Sequence, residues 1–350
     1  MTISLILDYL FISAIASVAI SLWISNFAKS KKILIDLPDK SRKFHKRATP
    51  LTGGISILIA TIFSGKLYID LNNLSEFMPN FTLQLIYSSV FLVIFFLIDD
   101  IKGLKPVARM FFQAILCLYI IKSTGVELES LGDLFGNGEI RLGYFSTPIT
   151  IFAVVGVMNA FNMLDGINGL CSGFCMLALL ITGFFSGLMY DSMLVIIVGS
   201  LIGFLLFNLR IFGAKRTVFL GDHGSNLMGF WVAWIAIYVS QSEIYNINPI
   251  TMVWIIAIPL LDCIGLILYR TLKGSGWTTP GRDHIHHKLM NYFSSERTLF
   301  VILFASGLIM TLGILLQIYF IEYISFYLFI LFGLFYYYFS YRLINRDTDV

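Results

Sequence analysis

The chain has 350 residues, of which 57% are hydrophobic, 15% aromatic and only 13% charged, with a formal net charge of +3. Soluble domains carry about 25% charged residues, so this composition, with a mean hydropathy of +0.83, excludes a soluble globular domain and gives no reason to expect a nucleic-acid partner. It describes an integral membrane protein.

Stretches close to the roughly 20 apolar residues that cross a bilayer lie at about 3–27, 51–69, 81–98, 107–122, 147–164, 169–189, 193–209, 224–240, 250–270, 298–318 and 321–341. They predict an all-α fold of about eleven transmembrane helices, forming a single polytopic membrane domain over residues 1–350. Of the 24 Lys and Arg residues, all except Lys66, Lys122 and Arg141 fall in alternate connections, at 28–50, 99–109, 208–222 and 270–297, or in the C-terminal tail. The positive-inside rule makes these connections cytoplasmic, with the N-terminus outside and the C-terminus inside. The first apolar run is too long for a signal-peptide core and reads as a span. Cys117, Cys171, Cys175 and Cys263 all lie in apolar runs without CxxC spacing, which predicts small buried hydrophobes and no redox role. The longest outer connection, about 123–146, predicts a solvated loop with a short hairpin.

All five histidines and the clustered acids sit in the inner connections. The third span ends in FFLIDDIKGLKP, which places Asp99 and Asp100 at a helix C-terminus, where the dipole disfavours negative charge. Other groups must hold them there. Lys102 and Lys105 suffice for a solvated turn, while carboxylates at membrane spans are costly and often functional. In NAFNMLDGINGL, Asn159, Asn162, Asp165 and Asn168 recur every three residues, so a continuing helix would align them on one face, and Gly166 and Gly169 allow a tight turn or close approach by a ligand. In VFLGDHGSNLMGF, Gly221 and Gly224 bracket Asp222 and His223 at the start of the eighth span. A helix N-terminus suits phosphate and an adjacent acid can hold Mg²⁺; taken alone, the motif is better explained by an N-cap role for Asp222. In GRDHIHHKLM, His284, His286 and His287, flanked by Arg282 and Lys288, suit a zinc site, a proton relay or an anion clamp. Zinc is disfavoured by the lack of neighbouring cysteine and of HExxH spacing. Asp262, within the ninth apolar run, is predicted to pair with a neighbouring polar group or Arg270.

Each motif alone is weak. Together, carboxylates for a divalent cation, glycines and histidines for phosphates, and lysines at one membrane face describe phosphoryl transfer at the lipid–water boundary. The site would be built from the connections at about 28–50, 99–106, 159–169, 208–226 and 271–297. A transporter would carry its ionisable groups near the bilayer midplane, and a membrane scaffold has no need of the Asp/His constellation.

Through HKRATPLTGGISI, LIDDIKG, NAFNMLDGINGL, NLRIFGAKRTVFLGDHGSNLMGF, IPLLD and RDHIHHKLM, in that order over about residues 36–290, the chain resembles the polyprenyl-phosphate N-acetylhexosamine-1-phosphate transferase family. Within it, the likeness is to the bacterial branch that transfers N-acetylglucosamine-1-phosphate to undecaprenyl phosphate. The resemblance implies eleven spans in the bacterial inner membrane, a cytoplasmic active site, and transfer from UDP-N-acetylglucosamine with release of UMP, as the first membrane step of a lipid-linked glycan such as O-antigen or common antigen. It implies that Asp222 ligates Mg²⁺ or Mn²⁺, that Asp99, Asp100 and Asp165 carry the chemistry, and that Lys46, Asn159, Asn162, Asn168, Asn208, His284, His286 and His287 bind substrate. It leaves open a homodimer, another UDP-N-acetylated amino sugar as donor, and the choice between direct attack and an aspartyl-phosphate intermediate. The muramoyl-pentapeptide branch is disfavoured by RDHIHHKLM. The chain departs from the family pattern at Gly103, where relatives often carry a third acid, at Asn168, where a second aspartate is frequent, and at His223, where a small residue is usual.

Overall fold

The computed structural model describes residues 3–38, 47–72, 79–188, 191–272, 274 and 284–346. Its helices are α1 (Ile3–Lys31), α2 (Gly53–Asn72), α3 (Asn80–Lys102), α4 (Pro106–Thr124), α5 (Ser146–Leu164), α6 (Leu170–Ser186) and α7 (Ser192–Asn208), followed by α8 (Asp222–Gln241), α9 (Pro249–Ile255), α10 (Ala257–Leu272), α11 (Ile285–Leu289), α12 (Ser295–Tyr319) and α13 (Glu322–Arg346). Two-residue strands β1 (Ile35–Asp36) and β2 (Thr49–Pro50) pair antiparallel beside α1.

Every predicted apolar segment coincides with helix. Among the described residues seven helices, α1 to α5, α12 and α13, are long and apolar enough to cross a membrane. The ninth segment is not one straight span: α9 and α10 meet at 79°. Pro259 has no N–H to offer the carbonyl of Ile255, so the hydrogen-bond ladder fails where α9 stops. The 17-residue helices α6 and α7 extend only about 25 Å at 1.5 Å per residue, short of the ~30 Å hydrocarbon core.

Helix α8 lies at the centre, packed against α3, α5, α6, α2 and α9. It is buried on nearly all sides, with Phe230, Trp231 and Trp234 fully enclosed, as expected of a helix apolar around its circumference. Trp231 satisfies its indole N–H on Ser89 Oγ of α3 at 2.9 Å. Glycines let the partners close in: a Cβ at Gly229 would stand 2.7 Å from Met158 Cα of α5, and one at Gly224 would stand 3.0 Å from Gly54 Cα. Residues 50–54 bond to residues 219–220 through Phe219 N to Pro50 O at 2.8 Å, Gly53 N to Phe219 O at 2.9 Å and Gly54 N to Leu220 O at 3.1 Å. The N-termini of α2 and α8 are thereby laid side by side.

Opposite helix ends gather separately. At one, residues 129–142 form the predicted hairpin, with Leu131 N to Ile140 O and Ile140 N to Gly132 O both at 3.0 Å. At the other, the C-terminal ends of α3, α5 and α7 meet the N-terminal ends of α4, α6 and α8. All four cysteines are buried and unpaired.

Candidate active site

The chemistry-bearing groups collect around the first turn of α8. Gly221 enters it at φ 80°, a conformation that strains any side chain, and delivers Asp222 as the first helical residue. The first N–H groups of a helix need outside acceptors. Here Asp100 Oδ1 accepts from Asp222 N at 3.1 Å and Asp100 Oδ2 from His223 N at 3.4 Å, while His223 Nδ1 lies 2.5 Å from Asp100 Oδ2. Asp99 accepts the Leu104 N–H at 2.6 Å, just past Gly103, whose φ of 65° closes α3. Arg109 then bridges the two acidic motifs, with Nε 3.1 Å from Asp99 Oδ2 and Nη1 3.2 Å from Asp222 Oδ2. Within the aspartate pair, Asp99 is thus matched by an arginine from α4 and Asp100 by His223.

Beneath this turn runs a buried amide chain. Gln113 Nε2 donates to Asn226 Oδ1 at 2.7 Å, Asn159 Nδ2 donates to Gln113 Oε1 at 3.1 Å, and Asn226 Nδ2 returns to the Asp222 carbonyl at 2.8 Å. Ser225 Oγ donates to Asn162 Oδ1 at 2.7 Å. Helices α4, α5 and α8 are therefore tied together by linked amides immediately behind Asp222.

The aligned Asn159, Asn162, Asp165, Asn168 face does not form. Helix α5 ends at Leu164, and Asp165 leaves helical geometry at ψ 54°, because the Asp165-Gly166 step and Gly169 at φ 82° build a turn in place of another helical repeat. Asp165 stays open to solvent on one side while protein crowds its others. Its acidity is pushed to about 7, first by burial and then by the carboxylates of Asp222 and Asp100. Asn208 is committed to the backbone, accepting from Gly169 N at 2.5 Å and donating to Val218 O at 2.8 Å.

Gly166 carries the histidine segment. A Cβ there would meet the His286 ring, so α11 rests directly on this turn. The segment is a short helix starting at Ile285, not the extended strand that i, i+2 alternation of His284 and His286 suggests; only His284, at φ −65° and ψ 148°, is extended. The rings of His284 and His286 stack, centroids 5.6 Å apart and planes 7° from parallel, with His287 4.2 Å from His286. His286 is fully buried, and its pKa is drawn well below the ordinary value by burial, then by His287 and His284. Each of these effects favours the uncharged imidazole. Asp262 has the predicted structural pairing, with His284 as partner: Nδ1 lies 2.8 Å from Asp262 Oδ2. Lys46 and Arg282 lie outside the described residues.

Sequence reasoning missed Arg109 and Gln113. Arg109 registers there only as another positive charge in an inner connection. Gln113, one turn further on the same helix, was recoverable as a polar side chain inside an apolar run.

Among the described residues no three acidic, histidine or cysteine side chains are placed to hold a metal unaided. A hard cation such as Mg²⁺ needs less, being commonly held by one or two carboxylates, waters and substrate phosphates. The donor set fits that pattern: Asp222 and Asp165 supply hard oxygens whose mutual repulsion a cation relieves, while His223 and His284 are engaged by Asp100 and Asp262 and His286 is buried.

Residues 82–240 match glycosyl transferase family 4. An undecaprenyl-phosphate alpha-N-acetylglucosaminyl 1-phosphate transferase of Yersinia pestis is 34% identical over 323 residues, covering 90% of this chain and 84% of its own length. Proteins of that name from Escherichia coli O157:H7 and Haemophilus influenzae are 34% identical over 294 residues and 32% identical over 304 residues, covering 82% and 83% of this chain and 78% and 81% of their own lengths.

Proposed function

As a member of glycosyl transferase family 4 this chain is a membrane glycosyl-1-phosphate transferase, and we propose that it transfers N-acetylglucosamine-1-phosphate from UDP-N-acetylglucosamine to undecaprenyl phosphate. The products are undecaprenyl-diphosphate-N-acetylglucosamine, which starts a lipid-linked surface glycan such as O-antigen or common antigen, and UMP. The observation that carries the reading is the convergence of Asp222, Asp100 and Asp165 at the start of α8, with the His286 ring seated on the Asp165-Gly166 turn.

An oxygen of the acceptor phosphate forms a bond to the phosphorus that bears the sugar. The bond from that phosphorus to the bridging oxygen breaks, and its electron pair leaves with UMP. Asp222, with help from Asp165, would hold Mg²⁺ or Mn²⁺, which would supply charge neutralisation for the phosphates. Arg109 keeps Asp222 and Asp99 in register. Asp99 and Asp100 serve the acceptor side, where a prenyl phosphate leaves the hydrocarbon region at the cytoplasmic face; that phosphate is already partly ionised near neutral pH, so positioning outweighs proton removal in their role. His284, His286 and His287 face the donor's diphosphate or sugar. Asn159, Asn162 and Asn168 line the nucleotide side, and Lys46 contacts substrate. With Asp99 and Asp100 each held by protein donors, the reading favours direct attack over an aspartyl-phosphate intermediate.

The test is release of UMP by purified protein given undecaprenyl phosphate and a panel of UDP-sugars. Lipid-dependent turnover with UDP-N-acetylglucosamine is expected. Faster lipid-dependent turnover with another N-acetylated sugar reassigns the donor, and none with any sugar overturns the reading.

A further inference from the structure

Asp262 belongs to none of the acidic motifs around α8, yet it is the acid that fixes the histidine segment. It lies on α10 and is 6% exposed. Burying a carboxylate is costly unless its lone pairs are filled, and here they are filled from two directions. Asp262 Oδ2 lies 2.8 Å from His284 Nδ1, Oδ1 accepts the Ile285 N–H at 3.0 Å, and the Tyr336 hydroxyl of α13 donates to Oδ1 at 3.4 Å.

Two consequences follow from that geometry. An Nδ1 facing a carboxylate carries the proton, which selects one tautomer and leaves Nε2 as the ring's remaining hydrogen-bonding atom. The Ile285 N–H is among the first in α11, which the helix cannot satisfy from within; Asp262 satisfies it from a different helix. One carboxylate thereby sets both the rotation of the His284 ring and the starting point of the turn that carries His286 and His287. The 5.6 Å stack passes the orientation on to His286.

We propose that Asp262 is a positioning residue for donor use, acting through His284 and braced by Tyr336, so that the C-terminal helix α13 is part of the catalytic apparatus. The proposal rests on the reading that His284 contacts the donor.

The experiment is a double-mutant cycle on the full chain in detergent or nanodiscs, with UDP-N-acetylglucosamine and undecaprenyl phosphate varied separately. Asp262→Asn keeps the shape but cannot accept from both Nδ1 and the Ile285 N–H. It should lower kcat/KM for the nucleotide sugar roughly tenfold or more while leaving KM for the lipid unchanged. In a His284→Ala background the same substitution should cost little further, because groups acting through one another are not additive. Equal losses in both backgrounds, or a loss shared by donor and lipid, overturn the proposal. His284→Ala alone separates it from the reading beneath: full donor use in that variant removes the role of His284 itself. If Asp262→Asn does not fold, Tyr336→Phe takes its place, since it leaves the carboxylate and removes only the third bond. Its expected two- to fivefold loss should vanish in the His284→Ala background, and its persistence there overturns the proposal.

Discussion

His223 Nδ1 stands 2.5 Å from Asp100 Oδ2, and both side chains are almost wholly enclosed. The contact explains how an acid survives at the C-terminal end of α3, where the helix dipole is unfavourable: Asp100 is seated on the N-terminal N–H groups of α8, where the dipole has the opposite sign. Asp99 closes α3 through the Leu104 N–H, and the neighbouring Asp100 satisfies the first N–H groups of α8. His223 is the side-chain partner of Asp100.

Removing that partner should therefore loosen the whole first turn of α8. His223→Ala deletes a hydrogen bond to a charged group, worth about 1.5–3 kcal/mol, and leaves a void beside Gly54. We expect the unfolding temperature in detergent to fall by several degrees and turnover to drop. His223→Asn, which retains a donor, should recover part of both. Unchanged unfolding and turnover in the alanine variant would mean that the contact supports neither.

Asp222→Asn should abolish turnover, and chelation by EDTA should do the same to the unaltered protein, with recovery on adding Mg²⁺ or Mn²⁺. Arg109→Ala tests a different point. It frees Asp99 and Asp222 together, so it should weaken the apparent metal requirement and the catalytic constant by at least tenfold without changing UDP-sugar selectivity. Full activity in EDTA would remove the cation from the mechanism.

The elements were largely legible because bilayer-length apolar runs and alternating Lys and Arg content are coarse, redundant signals. The break between α9 and α10 was not read from the sequence, which took 250–270 as one span, although Pro259 was the local signal for it. What the sequence did not disclose was partnership. Arg109 and Asp222 are joined across two helices, as are Gln113 and Asn226, and Asp262 meets His284 from a different helix; such pairs depend on helix packing, which no local pattern encodes. The Asn159-to-Asn168 face failed for a local reason that was available, since Asp-Gly prefers a turn to another helical repeat.

The acidity of Asp165 gives a pH test. In an unfolded chain an aspartate titrates near 3.9, whereas here it is pushed up to about 7. Between those values the native protein holds a proton that the unfolded chain has released, so metal-free stability should decline as pH rises through that window. A divalent cation competes with the proton, so its stabilising effect should grow over the same range. Unfolding temperatures recorded with and without Mg²⁺ at pH 5.5 and 7.5 should diverge, and Asp165→Asn should shrink the divergence. A Mg²⁺ effect independent of pH in the unaltered protein would separate Asp165 from the metal.

The contact between Gly166 and His286 yields a steric test. Gly166 has no positive φ, so alanine is acceptable to its backbone and the only obstacle is space. An added Cβ would lie 2.7 Å from His286 Cδ2 and 2.9 Å from Cε1, closer than carbon atoms tolerate, and the ring must move. Overpacking of this kind costs about 1–3 kcal/mol, a modest loss that should leave the protein folded and inserted. The ring's displacement should instead appear in function: Gly166→Ala should reduce kcat/KM for UDP-N-acetylglucosamine by roughly tenfold to a hundredfold, with little change in KM for undecaprenyl phosphate. His286→Ala clears the space that the new methyl group needs. The cost of Gly166→Ala should then largely disappear in that background, and an undiminished cost there would show that Gly166 serves the donor through its own backbone and not through the position of His286.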